Sequence, residues 1–299
     1  MKRFYTVEKD TLNTRLDRWI KRNVCQIPQS LIEKNIRKGN IKVNKKKEKS
    51  SYKLKVNDRI VLHNFDYKNS KNAKQSNVYL PNKKELSSSG KLFIDNNENF
   101  AVINKPSGIA VQSGTKSRRN IIDILRKMKE FDNSNPYSVH RIDKETTGLL
   151  LVAKNRKYAQ LLTSLFRIRR IHKTYLCIVL GEFKKDRGTL TDELFYYEGK
   201  KKIKLKAITH YKVVDKNNNY TLLQLNPQTG RKHQIRKQLL IHGHPVVGDS
   251  KYRIAESYSD KPQNLMLHAY KINFSIGEVK YNFMAELPLV FKKHLMKSI

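Results

Sequence analysis

The stretch His140-Arg141-Ile142-Asp143-Lys144-Glu145-Thr146-Thr147-Gly148-Leu149-Leu150-Leu151-Val152-Ala153-Lys154 decides the fold class. Its second half is a short apolar run entered through turn chemistry at Thr146, Thr147 and Gly148. That pattern predicts a strand over residues 149–152 diving into a core. Apolar runs at residues 174–180, 220–225 and 265–274 predict further strands. Tyr158, Leu161, Leu162, Leu165 and Phe166 fall instead at helical spacing. Frequent strands and few helices over residues 91–299 predict an α+β domain built on a long, mainly antiparallel sheet, with flanking helices and loops.

The first half of the stretch carries the chemistry. In an extended segment Arg141 and Asp143, two apart, project to the same side. A carboxylate beside an arginine at the rim of a sheet suits a nucleophile, a base, a metal ligand or a plain surface ion pair. The stretch alone does not separate these.

Composition narrows the partner. The chain has 299 residues, with 62 Lys and Arg against 26 Asp and Glu, a formal charge of +36. So large an excess points to a polyanion, either nucleic acid or an anionic membrane surface. A hydrophobic share of 38% still allows a packed core. The start MKRFYTVEKD lacks an apolar signal core, and no apolar run approaches a bilayer span, so a cytosolic, soluble protein is expected. Cys25 and Cys177 stand alone, which leaves neither a disulfide framework nor a CxxC zinc site. His242 and His244 form an HxH with no third ligand at suggestive spacing, and no metal is expected.

Residues 1–62 form a first, basic block, with 18 basic and 6 acidic side chains. Leu16, Trp19, Ile20 and Val24 share one helical face. Ser30 and Glu33 stand at capping-box spacing ahead of a second helix, which Gly39 is placed to stop. Residues 41–44 and 56–62 predict short strands. The block resembles the S4 RNA-binding domain, through Arg15-Leu16-Asp17-Arg18, residues 36–44, Lys53-Leu54 and Asn57-Asp58. The resemblance implies a helical face gripping structured RNA by phosphate contacts and shape, with Arg15, Arg18, Arg37, Lys38, Lys42 and Asn44 as candidates. Residues 63–90 are polar and predict a linker. Residues 91–299 then form a second, larger domain.

His-Arg-Ile-Asp-x-x-Thr-Thr-Gly resembles the catalytic motif of the RluA-type RNA pseudouridine synthases, whose usual form has Leu and Ser in place of Ile142 and Thr147. Further motifs follow in the family's order: Asn104-Lys105-Pro106-Ser107-Gly108, Lys173-Thr174-Tyr175, Thr229-Gly230-Arg231-Lys232-His233-Gln234-Ile235-Arg236, Gly243-His244-Pro245-Val246-Val247-Gly248-Asp249 and Leu267-His268-Ala269. The overall pattern is most similar to the RluC-like group, which modifies large-subunit ribosomal RNA. Gln238 departs from it, at a position where relatives commonly carry histidine.

The resemblance implies an isomerase that needs no cofactor and takes ribosomal RNA, with no membrane or nucleotide partner. It assigns Asp143 as nucleophile, Arg236 as the cation beside it and Tyr175 as the ring against the target base. Arg141 then fills the space left by a flipped uridine or contacts phosphate. Thr146, Leu267, Lys173 and Arg231 are further substrate-binding candidates. Arg167, Arg169 and Arg170, with Lys200 to Lys202, Lys204 and Lys206, are expected phosphate contacts. A monomer is expected. Two other classes compete: a non-catalytic S4-type RNA-binding protein, and an RNA N-glycosidic hydrolase, which would want a second carboxylate.

Overall fold

The computed structural model describes residues 2–8, 11–25, 27–63, 65, 92–113, 119–132, 134–198, 201–254 and 264–291. The chain divides into two compact units, residues 1–78 and 79–299. The expected linker at 63–90 lies outside the described residues, apart from His63, which ends a strand, and Phe65.

The first unit has three strands and two helices among its described residues: β1 (Lys2–Thr6), α1 (Leu16–Asn23), α2 (Gln29–Lys38), β2 (Ile41–Val43) and β3 (Arg59–His63). The sheet runs β1-β3-β2, all antiparallel. Leu16, Trp19 and Ile20 of α1 and Ile32 and Ile36 of α2 pack with Ile41, Val43, Leu54, Ile60 and Leu62 into its core. Gly39 ends α2 in the left-handed region, at φ 81°, where glycine bears no Cβ penalty. The expected capping box does not form. Pro28 occupies the N-cap instead, so Ser30 lies inside the first turn, and Glu33 accepts from Gln29 Nε2 at 3.2 Å.

The second unit is built on a ten-stranded sheet: β4 (Phe93–Asn96), β5 (Phe100–Lys105), β6 (Tyr137–Ser138), β7 (Thr147–Ala153), β8 (His172–Leu180), β9 (Arg187–Glu198), β10 (Lys201–Lys216), β11 (Tyr220–Pro227), β12 (Leu267–Ile276) and β13 (Val279–Met284). Its order is β4-β5-β7-β12-β8-β11-β10-β9, with β13 on β12 and β6 on β7. Among these strands only β7 and β12 pair in parallel. Helices α3 (Ile121–Leu125), α4 (Arg156–Arg167) and α5 (Gln234–Ile241) flank the sheet.

The central strands are apolar on both faces. Leu149 to Ala153 are wholly buried, and with Phe100 to Ile103, Cys177, Val179, Leu223 and Leu225 they form one large core. Gly148 makes the parallel pairing possible: at φ +103° a Cβ there would stand 2.3 Å from the Ala269 carbonyl oxygen. Beside it, Thr147 Oγ1 and His268 Nδ1 meet at 2.8 Å. No helix among the described residues is long and apolar enough to cross a membrane.

Candidate active site

Asp143 lies on the loop between β6 and β7, which turns where the Thr146 N–H donates to the Asp143 carbonyl at 3.2 Å. A second loop, leaving β5, braces it. Lys105 is fully buried, and its ammonium donates to the carbonyls of Pro106, Ile109 and Lys144 at 2.8, 3.0 and 3.0 Å. Burial pushes Lys105 down to about 7, while three carbonyl acceptors favour its charged form. The Gly108 N–H also donates to the Lys144 carbonyl, and Ser107 Oγ donates to that of Glu145 at 2.9 Å. The backbone just after Asp143 is thus held from the end of β5.

A charge network closes on the carboxylate from α5. Arg236, 4% exposed, donates through Nε and Nη2 to Asp249 at 2.6 and 2.7 Å, and through Nη1 to Asp143 Oδ2 at 3.1 Å. Burial opposes a charge on Arg236, but the two carboxylates outweigh it and raise its pKa. Asp249 has no exposed side-chain surface and also accepts the N–H groups of Lys251 and Tyr252, both at 2.9 Å. Burial works to raise its pKa, yet Arg236 and these N–H donors hold it below the ordinary value. On the other side of Asp143, His233 Nε2 stands 3.7 Å from Oδ1, and His233 Nδ1 meets the Tyr252 hydroxyl at 2.9 Å. His233 enters α5 in the left-handed region, φ 53°.

The carboxylate faces a cavity of about 310 Å³. All eight catalytic and substrate-binding candidates line it: Arg141, Asp143, Thr146, Lys173, Tyr175, Arg231, Arg236 and Leu267. β8 supplies Lys173 and Tyr175, β12 supplies Leu267, and the loop before β7 supplies Arg141, Asp143 and Thr146. Burial, and then the Asp143 charge, push the Tyr175 phenol well above its ordinary pKa, so it stays protonated. Thr146 is buried and its hydroxyl has no hydrogen-bond partner. The arrangement offers a paired carboxylate, an aromatic wall, an apolar wall and one orphaned hydroxyl.

The sequence pattern described as RNA pseudouridylate synthase matches residues 99–240, and the S4 domain pattern matches residues 14–60. Ribosomal large subunit pseudouridine synthase C of Buchnera aphidicola subsp. Schizaphis graminum is 32% identical, covering 97% of this chain and 95% of its own. The protein of the same name from Rickettsia conorii is 33% identical over 95% and 97%. The chain belongs to the RNA pseudouridine synthase family. Its fold agrees with human RNA pseudouridylate synthase domain containing 4, at a TM-score of 0.60 and 24% identity over 71% of this chain and 94% of that one.

Three features of this synthase lay beyond sequence reasoning. His233 and Asp249 stand inside two of the sequence motifs, but nothing in their spacing signals that both converge on the Asp143–Arg236 pair. Gln238 is fully buried; it accepts from Thr209 Oγ1 at 2.6 Å and donates to Asp192 Oδ2 at 2.7 Å, tying α5 to β9 and β10 away from the cavity. His242 and His244 are engaged separately, with Asp192 and the Leu180 carbonyl.

The six S4-like candidates of the synthase differ in their internal commitments. Arg15 forks onto the buried Asp17 at 3.1 and 2.7 Å. Asn44 donates to Asp58 Oδ1 at 2.8 Å and accepts the Arg59 N–H at 2.9 Å, fastening β2 to β3. Arg18, Arg37 and Lys38 are exposed and Lys42 is partly exposed. Lys200 lies outside the described residues.

Proposed function

We propose that this synthase isomerises specific uridines of large-subunit ribosomal RNA, with Asp143 as nucleophile and the target nucleotide turned out of its helix. The carrying observation is the Asp143 carboxylate, paired at 3.1 Å by Arg236 and presented to a cavity walled by Tyr175 and Leu267. The names of the relatives and the S4 match support the choice of RNA. The reading takes the protein to act as a monomer. A ribosomal RNA substrate supports work in the cytoplasm.

The reaction breaks N1–C1′, turns the uracil and joins C5 to C1′. C5 gives up its hydrogen as a proton and N1 takes one up, so no electrons are exchanged and no group is imported. As nucleophile, Asp143 takes C1′ while the N1–C1′ bond breaks, and it leaves when C5 attacks. The Arg236 guanidinium favours the ionised carboxylate that this needs. The Tyr175 ring stacks the freed uracil, a contact of about 1–3 kcal/mol, and Leu267, on the neighbouring strand, adds apolar surface to the same cavity. The Thr146 hydroxyl acquires a partner when a nucleoside enters. A base inside a duplex cannot reach this cavity, so the uridine is extruded and the exposed Arg141 fills its place or holds its phosphate.

The hydrolase alternative loses support because, among the described residues, Asp143 is the sole carboxylate lining the cavity, and Asp249 is occupied by Arg236. Mapping pseudouridine in ribosomal RNA from cells with and without the protein tests the reading. Specific uridines should convert at unchanged RNA mass; loss of uracil, or no site that depends on the protein, would overturn it.

A further inference from the structure

Isomerisation releases a proton from C5, and a side chain in the cavity must receive it. The arginines and lysines lining the cavity donate protons and offer no acceptor. Burial, and then the Asp143 charge, keep the Tyr175 phenol protonated. Asp143 is the group that C5 displaces, and Arg236 engages it at 3.1 Å. That leaves His233, the one imidazole lining the cavity among the described residues.

The His233 side chain is only 17% exposed. Its Nε2 stands 3.7 Å from Asp143 Oδ1, too far for a hydrogen bond, so the carboxylate does not engage that nitrogen. Nδ1 lies 2.9 Å from the Tyr252 hydroxyl. With the Nδ1–H donating to the hydroxyl oxygen, the Nε2 lone pair is open to the cavity. Burial holds His233 below its ordinary pKa; Asp143 opposes this, while Arg236, Lys251 and Lys232 add to it, and the ring is neutral at neutral pH. Tyr252 is itself fixed. Its N–H donates to Asp249 Oδ1 at 2.9 Å, and its ring centroid lies 5.1 Å from the Arg236 guanidinium carbon.

The backbone gives an independent indication. His233 enters α5 at φ 53° and ψ 34°, the left-handed region, which disfavours any residue with a Cβ. Its side chain makes no capping hydrogen bond, so the helix start does not need the imidazole. Strained positions of this kind cluster at active sites.

We propose that His233 is the general base that takes the C5 proton, with Tyr252 holding its tautomer. The proposal rests on the reading of Asp143 as nucleophile at C1′. C5 attacks C1′ as Asp143 leaves, so the C5 hydrogen comes to the side of the cavity where the Asp143 oxygens and His233 Nε2 stand. The C5–H electron pair then forms the C5=C6 bond, the C6=N1 pair moves onto N1, and the proton goes to Nε2. The freed Asp143 carboxylate stabilises the imidazolium beside it. His233 gives its proton to water, N1 takes one from water, and the neutral ring is restored.

Single turnover by the full chain, on RNA with uridine or 5-deuterouridine at the target, tests it. His233→Gly suits the left-handed backbone and should keep the melting temperature near wild type. Its rate should fall about 100-fold or more, as for loss of a general base, with RNA affinity within a few-fold. Deuterium at C5 should slow the variant further, and added imidazole should restore part of the rate, because C5–H cleavage has become limiting. Tyr252→Phe keeps the ring on Arg236 and removes the hydroxyl; its rate should fall roughly ten-fold, and wild-type turnover would overturn its part. A residue that only shapes the cavity would lower the rate in a way that neither deuterium nor imidazole moves. That result for His233→Gly, or a rate within roughly ten-fold of wild type, would overturn the proposal. Pseudouridine formation by the wild type and by Asp143→Asn on the same RNA is scored separately, so failure of the nucleophile reading is distinguished from failure of His233 as the base.

Discussion

Asp249 holds Arg236 by two nitrogens, at 2.6 and 2.7 Å, and leaves the third directed at Asp143 at 3.1 Å. The two carboxylates are not equivalent. Asp249 is sealed from solvent and fixes the guanidinium plane, whereas Asp143 is 21% exposed and faces the cavity. Under the proposed mechanism Asp249 is a positioning residue, acting on the reaction through Arg236.

Asp249→Asn removes the charge and keeps the shape. The buried arginine is then deprived of its better partner, and stability should fall by about 3 kcal/mol. Turnover should fall more than KM rises, since the cavity walls that bind the base remain. The pH dependence has a definite sign. The pKa of Asp249 is depressed below 3.8, so its contribution is complete above that value and is lost as pH falls through the lower, folded-state value. Urea titrations should show the gap between wild type and variant narrowing below about pH 4. A gap that persists undiminished in acid would mean the pair does not carry it.

Lys105→Met should act on the catalytic loop without touching substrate. The carbonyls of Pro106 and Ile109 would lose the Lys105 donor, while that of Lys144 keeps the Gly108 N–H; a group left buried and unsatisfied costs about 1–3 kcal/mol, and the backbone following Asp143 would lose its brace. The expected outcome is a lower urea midpoint together with a reduced kcat. Unchanged kcat in the folded variant would show that the loop holds its geometry without Lys105.

Much of this arrangement was legible in the sequence because burial leaves a periodic mark. The apolar run 149–152 reads as a strand, and Tyr158 to Phe166 reads as a helix, because each has a face or faces that must leave water. Exposed elements leave no such mark. β1, with Lys2 and Arg3 among its residues, is mostly exposed and was not foreseen, and neither was the long hairpin of β9 and β10, lysine-rich on open faces. Local signals can also be displaced: Pro28 took the cap that Ser30 was placed to provide. The eight site candidates, all of which line the cavity, were read from motif resemblance, whereas the Asp249–Arg236 contact depends on how a loop returns to a helix, which spacing does not encode.

The first unit should contribute phosphate contacts through the exposed Arg18, Arg37 and Lys38. Replacing all three by Ala in the full chain should lower the salt slope of RNA binding by about 0.9 for each duplex phosphate no longer neutralised, and leave single-turnover rates at saturating RNA near wild type. An unchanged slope would remove the S4-like face from RNA binding.

The most direct test of the Asp143 assignment is release of tritium from RNA labelled at C5 of uridine, since C5 must give up its hydrogen when it joins C1′. Wild-type protein should release tritium in a single turnover at otherwise unchanged RNA mass. Asp143→Asn should bind the same RNA within a few-fold, because affinity rests on many basic contacts, and should release none above background. Release by the Asn variant at the wild-type rate would contradict the assignment of Asp143 as the nucleophile.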